Sequence, residues 1–409
     1  MIHGDAIWLT AAVGDDLLTV QLDRSSGRER WRRSVRAARE EDLDSRNHRA
    51  AASPALDDEG NSYVFFGDFG LVSYGPDGDE RWRRPLGPFS NVYGMGASPV
   101  LADGLVLQVC DQQQGSFLVA VEAETGRERW RAPRPQARSG HSSPVLWRPP
   151  EGELQALVPG SFMLTAYAVE TGERRWWVGG LPFEMKSTPV ISGDSLFIHG
   201  YASPMNQPGQ QVEVASWEET LVGHDRNRDG LISYDEFPDE RTRGYMVYLD
   251  LDGDDQMNEE DWSYYRAAMA SLNGMVAMRL GGSGEMTDEN LLWRYHRTVP
   301  QLPSPLVYDD VLYMINDGGI VTSFEPDTGE VLDRGRLRGA IDDYYASPVA
   351  ADGKLFFVGV SGLVAVVEAD DQLDQLTVND LGESAYATPA VADGRLYVRT
   401  TEALWAFGT

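Results

Sequence analysis

The stretch Ala385–Thr400 reads AYATPAVADGRLYVRT. It contains a Thr-Pro step, a short apolar run, an Asp-Gly step and a second run rich in β-forming residues. Asp-Gly steps suit tight hairpins, because glycine adopts positive φ without strain. The stretch therefore predicts two short antiparallel strands joined by a tight turn.

The same pattern recurs along the chain, separated by about 45 residues except for one interval that is about 70 residues longer. The Ser/Thr-Pro steps are Ser53-Pro54, Ser98-Pro99, Ser143-Pro144, Thr188-Pro189, Ser304-Pro305, Ser347-Pro348 and Thr388-Pro389. Four units also have a glycine turn four residues before a tryptophan, as in Gly78–Trp82 and Gly126–Trp130. Four short strands per unit of this length are typical of propeller blades. The tryptophans are interpreted as packing between blades rather than as stacking on a cofactor.

The strand pattern predicts an all-β, eight-bladed β-propeller. It accounts for about 30 of the roughly 32 strands that eight four-stranded blades need. The unit from Ile7 to Val35 has no Ser-Pro strand before it, and the final unit ends after three strands. The ring is therefore interpreted as incomplete at its N-terminus, with the missing strands upstream of Met1. Open blade edges of this kind would permit strand exchange between copies.

The long interval predicts an inserted domain, which gives propeller blades over residues 1–202, an insertion over 203–273 and further blades over 274–409. Its loop 225–236 reads DRNRDGLISYDE and fits each position of an EF-hand calcium loop. Helices are expected on both sides of the loops, over 214–223 and 262–272. The predicted ligands of this first loop are Asp225, Asn227, Asp229, the Leu231 carbonyl, Ser233 and Glu236.

A second acidic loop, 250–261, reads DLDGDDQMNEED and departs from the motif twice. Asp255 replaces the turn glycine, and Asp261 replaces the longer closing glutamate, so a weaker calcium site is expected. Ile232 and Met257 occupy matching positions, which predicts a short β-bridge between the loops. The predicted ligands are Asp250, Asp252, Asp254, the Gln256 carbonyl, Asn258 and Asp261.

Charge and composition exclude several classes of function. The formal net charge is −29 and the pI is about 4.5, which argues against nucleic acid and anionic membranes as partners. No apolar run is long enough for a membrane span, and residues 2–8 show no signal peptide. Nucleophile elbows, Walker loops and dinucleotide fingerprints are absent from the sequence.

The repeat resembles the PQQ-like (quinoprotein-type) β-propellers, and most closely the bacterial PQQ-binding-like β-propeller repeat proteins with an inserted EF-hand pair. The resemblance implies an exported protein, periplasmic or secreted. Quinoprotein dehydrogenases hold their cofactor beneath a disulfide of adjacent cysteines, whereas this chain has only Cys110. PQQ is therefore not expected as a cofactor. The stretches that carry the resemblance are Tyr63–Tyr74, Gly94–Val100, Leu302–Val307, Tyr344–Val349 and Ala385–Thr400.

The mouth of the propeller channel is the expected ligand-binding region, because the loops of all blades converge there. The favoured function is a calcium-stabilised binding or scaffold propeller for an unidentified small molecule or protein. The alternative is a metal-dependent hydrolase of phosphoesters, phosphotriesters or lactones, and a third possibility is a polysaccharide-binding or partner-binding surface using Tyr344, Tyr345 and Tyr386. The candidate catalytic residues are His48, His141, His199, Lys186, Asp342 and Asp343.

Overall fold

The computed structural model describes residues 1–41, 43–237 and 239–408, so Asp42, Pro238 and Thr409 lie outside the described structure. Eight antiparallel sheets, named here blades one to eight in chain order, form the propeller. Blades eight and one meet where Arg399 donates to the Thr10 carbonyl at 2.9 Å and Arg24 pairs with Asp393. The predicted eight-bladed architecture is confirmed.

Blades one to four run from the centre outward in chain order. Blade one contains Ile2–His3, Ala6–Val13, Asp16–Asp23 and Glu29–Arg36. Blade two contains Ala55–Leu56, Ser62–Phe66, Gly70–Tyr74 and Glu80–Pro85. Blade three contains Val100–Ala102, Leu105–Cys110, Phe117–Glu122 and Glu128–Pro133. Blade four contains Val145–Trp147, Gln155–Gly160, Met163–Ala168 and Arg174–Gly179, and a fifth strand, Gly284–Glu285, joins its outer edge in parallel.

Blades five to eight follow the same order. Blade five contains Val190–Ser192, Ser195–Gly200, Gly274–Arg279 and Leu291–Tyr295. Blade six contains Leu306–Tyr308, Val311–Asn316, Ile320–Phe324 and Val331–Arg336. Blade seven contains Val349–Ala351, Lys354–Val358, Leu363–Glu368 and Gln375–Asp380. Blade eight contains Ala390–Ala392, Arg395–Arg399 and Leu404–Gly408.

Blade one differs from the expectation of three strands. Ile2–His3 forms a short innermost strand, in which His3 pairs with Ala6. The reversal is possible because Gly4 adopts a φ of +54° between the two strands. Blade eight has the three strands that the sequence predicts.

Four of the tryptophans bond to the next blade through their indoles, as predicted, whereas the Trp176 indole donates to Gln155 of its own blade. The Trp82 indole of blade two donates to the Ala123 carbonyl of blade three at 2.9 Å. A Cβ built on Gly126 would lie 2.6 Å from the Trp82 ring, so only glycine fits beneath it. Trp31, Trp130 and Trp293 make equivalent hydrogen bonds to the next blade.

The Ser/Thr-Pro steps form a second connection near the channel. The Ser53 amide donates to the Ser98 hydroxyl at 3.0 Å, and the Ser98 amide donates to the Ser143 hydroxyl at 2.8 Å. The same bond links Thr188 to Ser304, Ser304 to Ser347 and Ser347 to Thr388. Each hydroxyl therefore satisfies a backbone donor of the preceding blade, which explains why the step repeats.

Blade five is interrupted between its second and third strands, where Gly200 pairs with Gly274. The interruption contains helices α1 (Trp217–His224), α2 (Glu240–Leu249) and α3 (Glu259–Ala270), and a further helix, α4 (Thr287–Asn290), follows within blade five. The 3₁₀ turns Pro204–Asn206 and Tyr234–Glu236 and the strands Ile232–Ser233 and Gln256–Met257 complete it. Trp217, Met246 and Trp262 share a hydrophobic core with Phe183 of the propeller, so the insertion packs on the ring.

Candidate metal-binding loops and channel mouth

The first acidic loop, 225–236, is folded around its own carboxylates. Asp225 accepts from the Gly230 amide at 3.0 Å, and Asp229 accepts from the Leu231 amide at 2.9 Å. Glu236 accepts from the Arg226 amide at 2.9 Å and from the Ser233 hydroxyl at 2.8 Å. The acidic side chains are therefore oriented by backbone donors of the loop itself.

The second loop, 250–261, repeats these contacts at equivalent positions. Asp250 accepts from the Asp255 amide at 2.9 Å, and Asp254 accepts from the Gln256 amide at 2.9 Å. Asp261 accepts from the Leu251 amide at 3.0 Å and from the Asn258 amide at 3.1 Å. Two sequences that differ at most positions thus adopt one loop geometry.

The two loops face each other through the predicted bridge. Ile232 pairs with Met257 and Ser233 pairs with Gln256 in an antiparallel arrangement. The Ile232 and Met257 side chains are buried. The helices on either side begin and end within a few residues of the expected positions, at α1 and α3.

The closing carboxylates of the loops are in different electrostatic environments. Hydrogen bonds from Ser233 lower the pKa of Glu236 to about 2. Burial raises the pKa of Asp261 to about 6, and the nearby carboxylates Asp252 and Asp250 act in the same direction. The second loop therefore concentrates negative charge that a cation would offset.

Oxygen atoms from Asp250, Asp252 and Asp254 lie within 4.8 Å of one another. Across residues 1–41, 43–237 and 239–408, this is the only group of three or more His, Cys, Asp or Glu residues with that geometry. Carboxylates and amide or carbonyl oxygens suit Ca²⁺, and both loops present such a set. In the first loop, Asn227 takes the place of one of the three carboxylates.

The channel mouth contains a buried ion pair that involves one predicted candidate, Lys186. Its ammonium lies 2.6 Å from the Glu184 carboxylate and 3.2 Å from the Tyr201 carbonyl. The Tyr93 hydroxyl also donates a hydrogen bond to the Glu184 carboxylate. Burial beside this carboxylate raises the pKa of Tyr93. His141 packs edge-on against the Tyr93 ring, with centroids 5.6 Å apart. Burial lowers the pKa of His141 to about 3, with the Lys186 ammonium acting in the same direction.

The other two candidate histidines lie apart from this group. His199 is fully buried, and its Nε2 donates to the Pro303 carbonyl. Burial lowers the pKa of His199 to about 4. His48 is exposed, and its Nδ1 accepts from the Ala50 amide at 3.2 Å. His199 is thus a core residue rather than a channel-mouth group, because it lies on the second strand of blade five between blades five and six.

The candidate carboxylates of blade seven are held by loop contacts. Asp342 accepts from the Ser361 amide at 2.8 Å and from the Ser361 hydroxyl at 2.6 Å. Asp343 is exposed, and its charge contributes to raising the pKa of Asp317, mainly a consequence of burial. Asp342 and Asp343 are not grouped with a histidine in the way that a hydrolytic metal site needs.

The aromatic surface is smaller than predicted. Tyr344 is fully buried, and its hydroxyl donates to the Ala340 carbonyl at 2.6 Å, so it cannot contact a ligand. Tyr345 and Tyr386 have ring centroids 6.0 Å apart, and Tyr386 is half exposed. The sequence places three tyrosines near one another but does not reveal which of them faces the core.

The sequence alone did not single out the groups that join the insertion to the mouth. The Tyr248 ring of helix α2 stacks on Tyr93, with centroids 5.6 Å apart and planes 19° apart. The Asp250 carbonyl accepts from the Gln113 side chain at 3.3 Å. The one available signal was that Tyr248 lies two residues before the second acidic loop.

Sheet order, inter-blade tryptophans and Ser/Thr-Pro links define the molecule as an eight-bladed β-propeller of the PQQ-like class. A family model described as outer membrane protein assembly factor BamB matches residues 14–226 and 282–408. The match covers most of the chain, so the protein belongs to this family. The unmatched interval includes the second acidic loop and helices α2 and α3.

Solved structures share the fold at low sequence identity. BamB from Moraxella catarrhalis is 12% identical with a TM-score of 0.59, over 99% of this chain and 98% of that one. The computationally designed Ika8 protein is 8% identical with a TM-score of 0.57, over 99% and 97%. A europium-containing methanol dehydrogenase is 10% identical with a TM-score of 0.57, over 97% and 81%. No curated protein matches the sequence.

A membrane-spanning helix needs about 20 predominantly apolar residues. None of the helices in the described segments is long and apolar enough to cross a membrane.

Proposed function

We propose that the chain is an extracytoplasmic binding or scaffold propeller whose insertion binds two calcium ions with a structural role. The observation that carries the calcium proposal is the matching geometry of the two loops. In both, the first carboxylate accepts from the sixth amide of the loop, and the last carboxylate accepts from the second and ninth amides. This repetition in unlike sequences supports two sites of one kind.

Titration calorimetry of the chelator-treated protein with CaCl₂ tests the calcium proposal. We expect two ions per chain, with the first loop binding more tightly. Glu236→Gln should remove one ion, whereas Asp235→Asn makes the same charge change at an adjacent exposed position and should retain both. Absence of binding at about 1 mM calcium, within the range of extracellular calcium modules, would contradict the proposal.

The binding role rests on the family and on the fold. The family description, outer membrane protein assembly factor, supports a place outside the cytoplasm and a protein partner. Fractionation of cells that express the natural gene product tests the location, and an exclusively cytosolic pool would contradict it. Self-association through a blade edge stays a prediction, which sedimentation of the purified chain tests.

Hydrolysis has no structural observation in its favour, since His48, His141 and His199 have separate environments. The binding role therefore predicts no turnover of phosphoesters, phosphotriesters or lactones by the calcium-loaded protein. Turnover that His141→Ala abolishes would contradict this role. His3→Ala, at an exposed position in blade one, is the matched control.

A further inference from the structure

The loop that leads into blade five is buried where the insertion meets the propeller. Phe183 belongs to the hydrophobic core of the insertion, and Met185 is fully buried. The Glu184 and Lys186 side chains, which form an ion pair, are only 4% and 9% exposed. A charged pair at the mouth of a propeller is normally open to water, so a covering element is needed to explain this burial.

Helices α2 and α3 provide this cover. Tyr248 of α2 stacks on Tyr93, which bonds Glu184 and lies 5.7 Å from the Lys186 ammonium. Tyr264 of α3 packs edge-on against Phe183, with centroids 6.4 Å apart. The two helices therefore meet the buried loop from its Tyr93 side and its Phe183 side.

The second acidic loop lies directly between these two helices. It begins at Asp250, one residue after the end of α2, and closes at Asp261 within α3. The Asp250 carbonyl accepts from Gln113 of the propeller, and Glu260 pairs with Arg138. The loop is thus connected to the ring at both ends, whereas the carboxylates of the first loop bond within that loop.

Charge in the second loop makes its shape dependent on a cation. Three carboxylates within 4.8 Å of one another repel when no cation is bound. A divalent ion reverses this interaction and fixes the ends of both helices. Loss of the ion would restore this repulsion next to the C-terminal end of α2, whose penultimate residue is Tyr248.

We infer that calcium in the second loop closes the insertion as a lid over the Glu184–Lys186 pair at the channel mouth. The inference rests on the proposed calcium binding and adds a regulatory role to it. With calcium bound, Tyr248 stays stacked on Tyr93 and the Lys186 ammonium is shielded from solvent. Without calcium, helix α2 detaches and the Lys186 ammonium becomes available to solvent and to ligands at the mouth.

The chain itself contains an internal reference for the test. Lys186 and Lys354 are the only lysines in the sequence, and the Lys354 side chain is 41% exposed. The full chain is treated briefly with an amine-acylating reagent in calcium or in EGTA, and peptide mass spectrometry gives the ratio of Lys186 to Lys354 labelling. We expect EGTA to raise this ratio several-fold, because local opening of the insertion exposes the Lys186 ammonium.

Two pairs of variants separate the steps of the inference. Asp254→Asn removes a proposed ligand, whereas Asp255→Asn makes the same change at the next, equally exposed position. In calcium, the Lys186 labelling of Asp254→Asn should match that of the wild type in EGTA. The labelling of Asp255→Asn should match that of the wild type in calcium. Tyr248→Ala should label Lys186 in calcium while calorimetry still detects two ions, and Tyr248→Phe should remain closed.

Hydrogen exchange of residues 181–187 gives a second readout that does not depend on lysine reactivity. We expect calcium to slow exchange in this segment. If calorimetry detects two ions but neither labelling nor exchange responds to calcium, the proposed lid is contradicted and the proposed calcium binding is retained. If calorimetry detects no calcium, both the proposed function and the lid are wrong.

Discussion

At the scale of single residues, Asp255 shows that a departure from the EF-hand motif costs conformational free energy. It occupies the turn position of the second loop with a φ of +63°, as the substitution of the usual glycine predicted. Non-glycine residues in this region are strained by about 1 kcal/mol. The backbone amide nevertheless makes the expected bond to Asp250, so the loop retains its shape.

Asp255→Gly should therefore stabilise the protein by about 1 kcal/mol and tighten the second calcium site. The measurements are urea unfolding and calcium titration calorimetry. Gly230→Ala, at a φ of +83° in the first loop, is the reverse substitution and should weaken the first site. A second site that binds no better in Asp255→Gly would show that strain does not set its affinity.

His199 gives a pH dependence whose direction follows from its burial. Its Nε2 donates to Pro303, and its Nδ1 has no partner among the described residues. Burial therefore lowers the folded-state pKa to about 4, below the ordinary 6.5. Because the unfolded chain binds the proton first, stability is complete above about pH 6.5 and falls as the pH drops towards 4.

His199→Gln should reduce this acid destabilisation by up to roughly 3 kcal/mol, the difference that such a pKa change represents. The measurement is the free energy of urea unfolding at pH 7.5 and at pH 4.5 in wild type and variant. His3→Gln replaces an exposed histidine and should leave the pH dependence unchanged. An equal pH dependence in wild type and His199→Gln would contradict the assigned burial effect.

At the scale of elements, the contact between a tryptophan and the next blade's turn is the unit of assembly. Each contact combines an indole hydrogen bond with close packing on a glycine, as between Trp130 and Gly172. Blades six and seven lack the tryptophan, and their outer strands read VLDRGR and QLTVND. The repeat predicted this contact well, because both partners recur at fixed spacing in the sequence.

Gly126→Ala tests the contact against a matched glycine. Gly126 and Gly104 have φ values of +70° and +77°, but only a Cβ on Gly126 would collide with Trp82, since nothing lies within 4 Å of one on Gly104. Gly104→Ala should cost about 1 kcal/mol from backbone strain alone. Gly126→Ala should cost a further 1–3 kcal/mol, roughly, from overpacking. Equal losses in urea unfolding would show that the tryptophan contact tolerates a methyl group.

At the scale of the whole molecule, the sequence predicted the ring but not how the insertion docks on it. The repeat makes the blades recognisable in the sequence, because a unit that departs from the pattern is still identified from the units on either side of it. Docking depends on single contacts such as Tyr248 with Tyr93, which involve residues far apart in the sequence and no motif. The burial of Tyr344 and His199 was missed for the same reason. The position of a residue within the repeat does not show whether its side chain points into the core.

Excision of the insertion is the corresponding prediction for the whole molecule. Gly200 and Gly274 are paired neighbours in blade five, so residues 201–273 can be replaced by an Asn-Gly turn without moving either strand. We expect the shortened chain to form the propeller and to unfold cooperatively, because blade five retains four strands.

The excised chain should lose all response to calcium. The free energy of unfolding of the full chain should rise by about 2.7 kcal/mol for each site at which calcium is in hundredfold excess over the dissociation constant. Circular dichroism and calorimetric melting in calcium and in EGTA provide the measurement. Some loss of stability is expected, because Phe162 and Phe183 would be exposed where they now contact Tyr264. Replacing Phe183 by serine in the excised chain should then improve solubility without changing the melting of the blades. A shortened chain that fails to fold would show that the insertion is part of the propeller core rather than a regulatory cover.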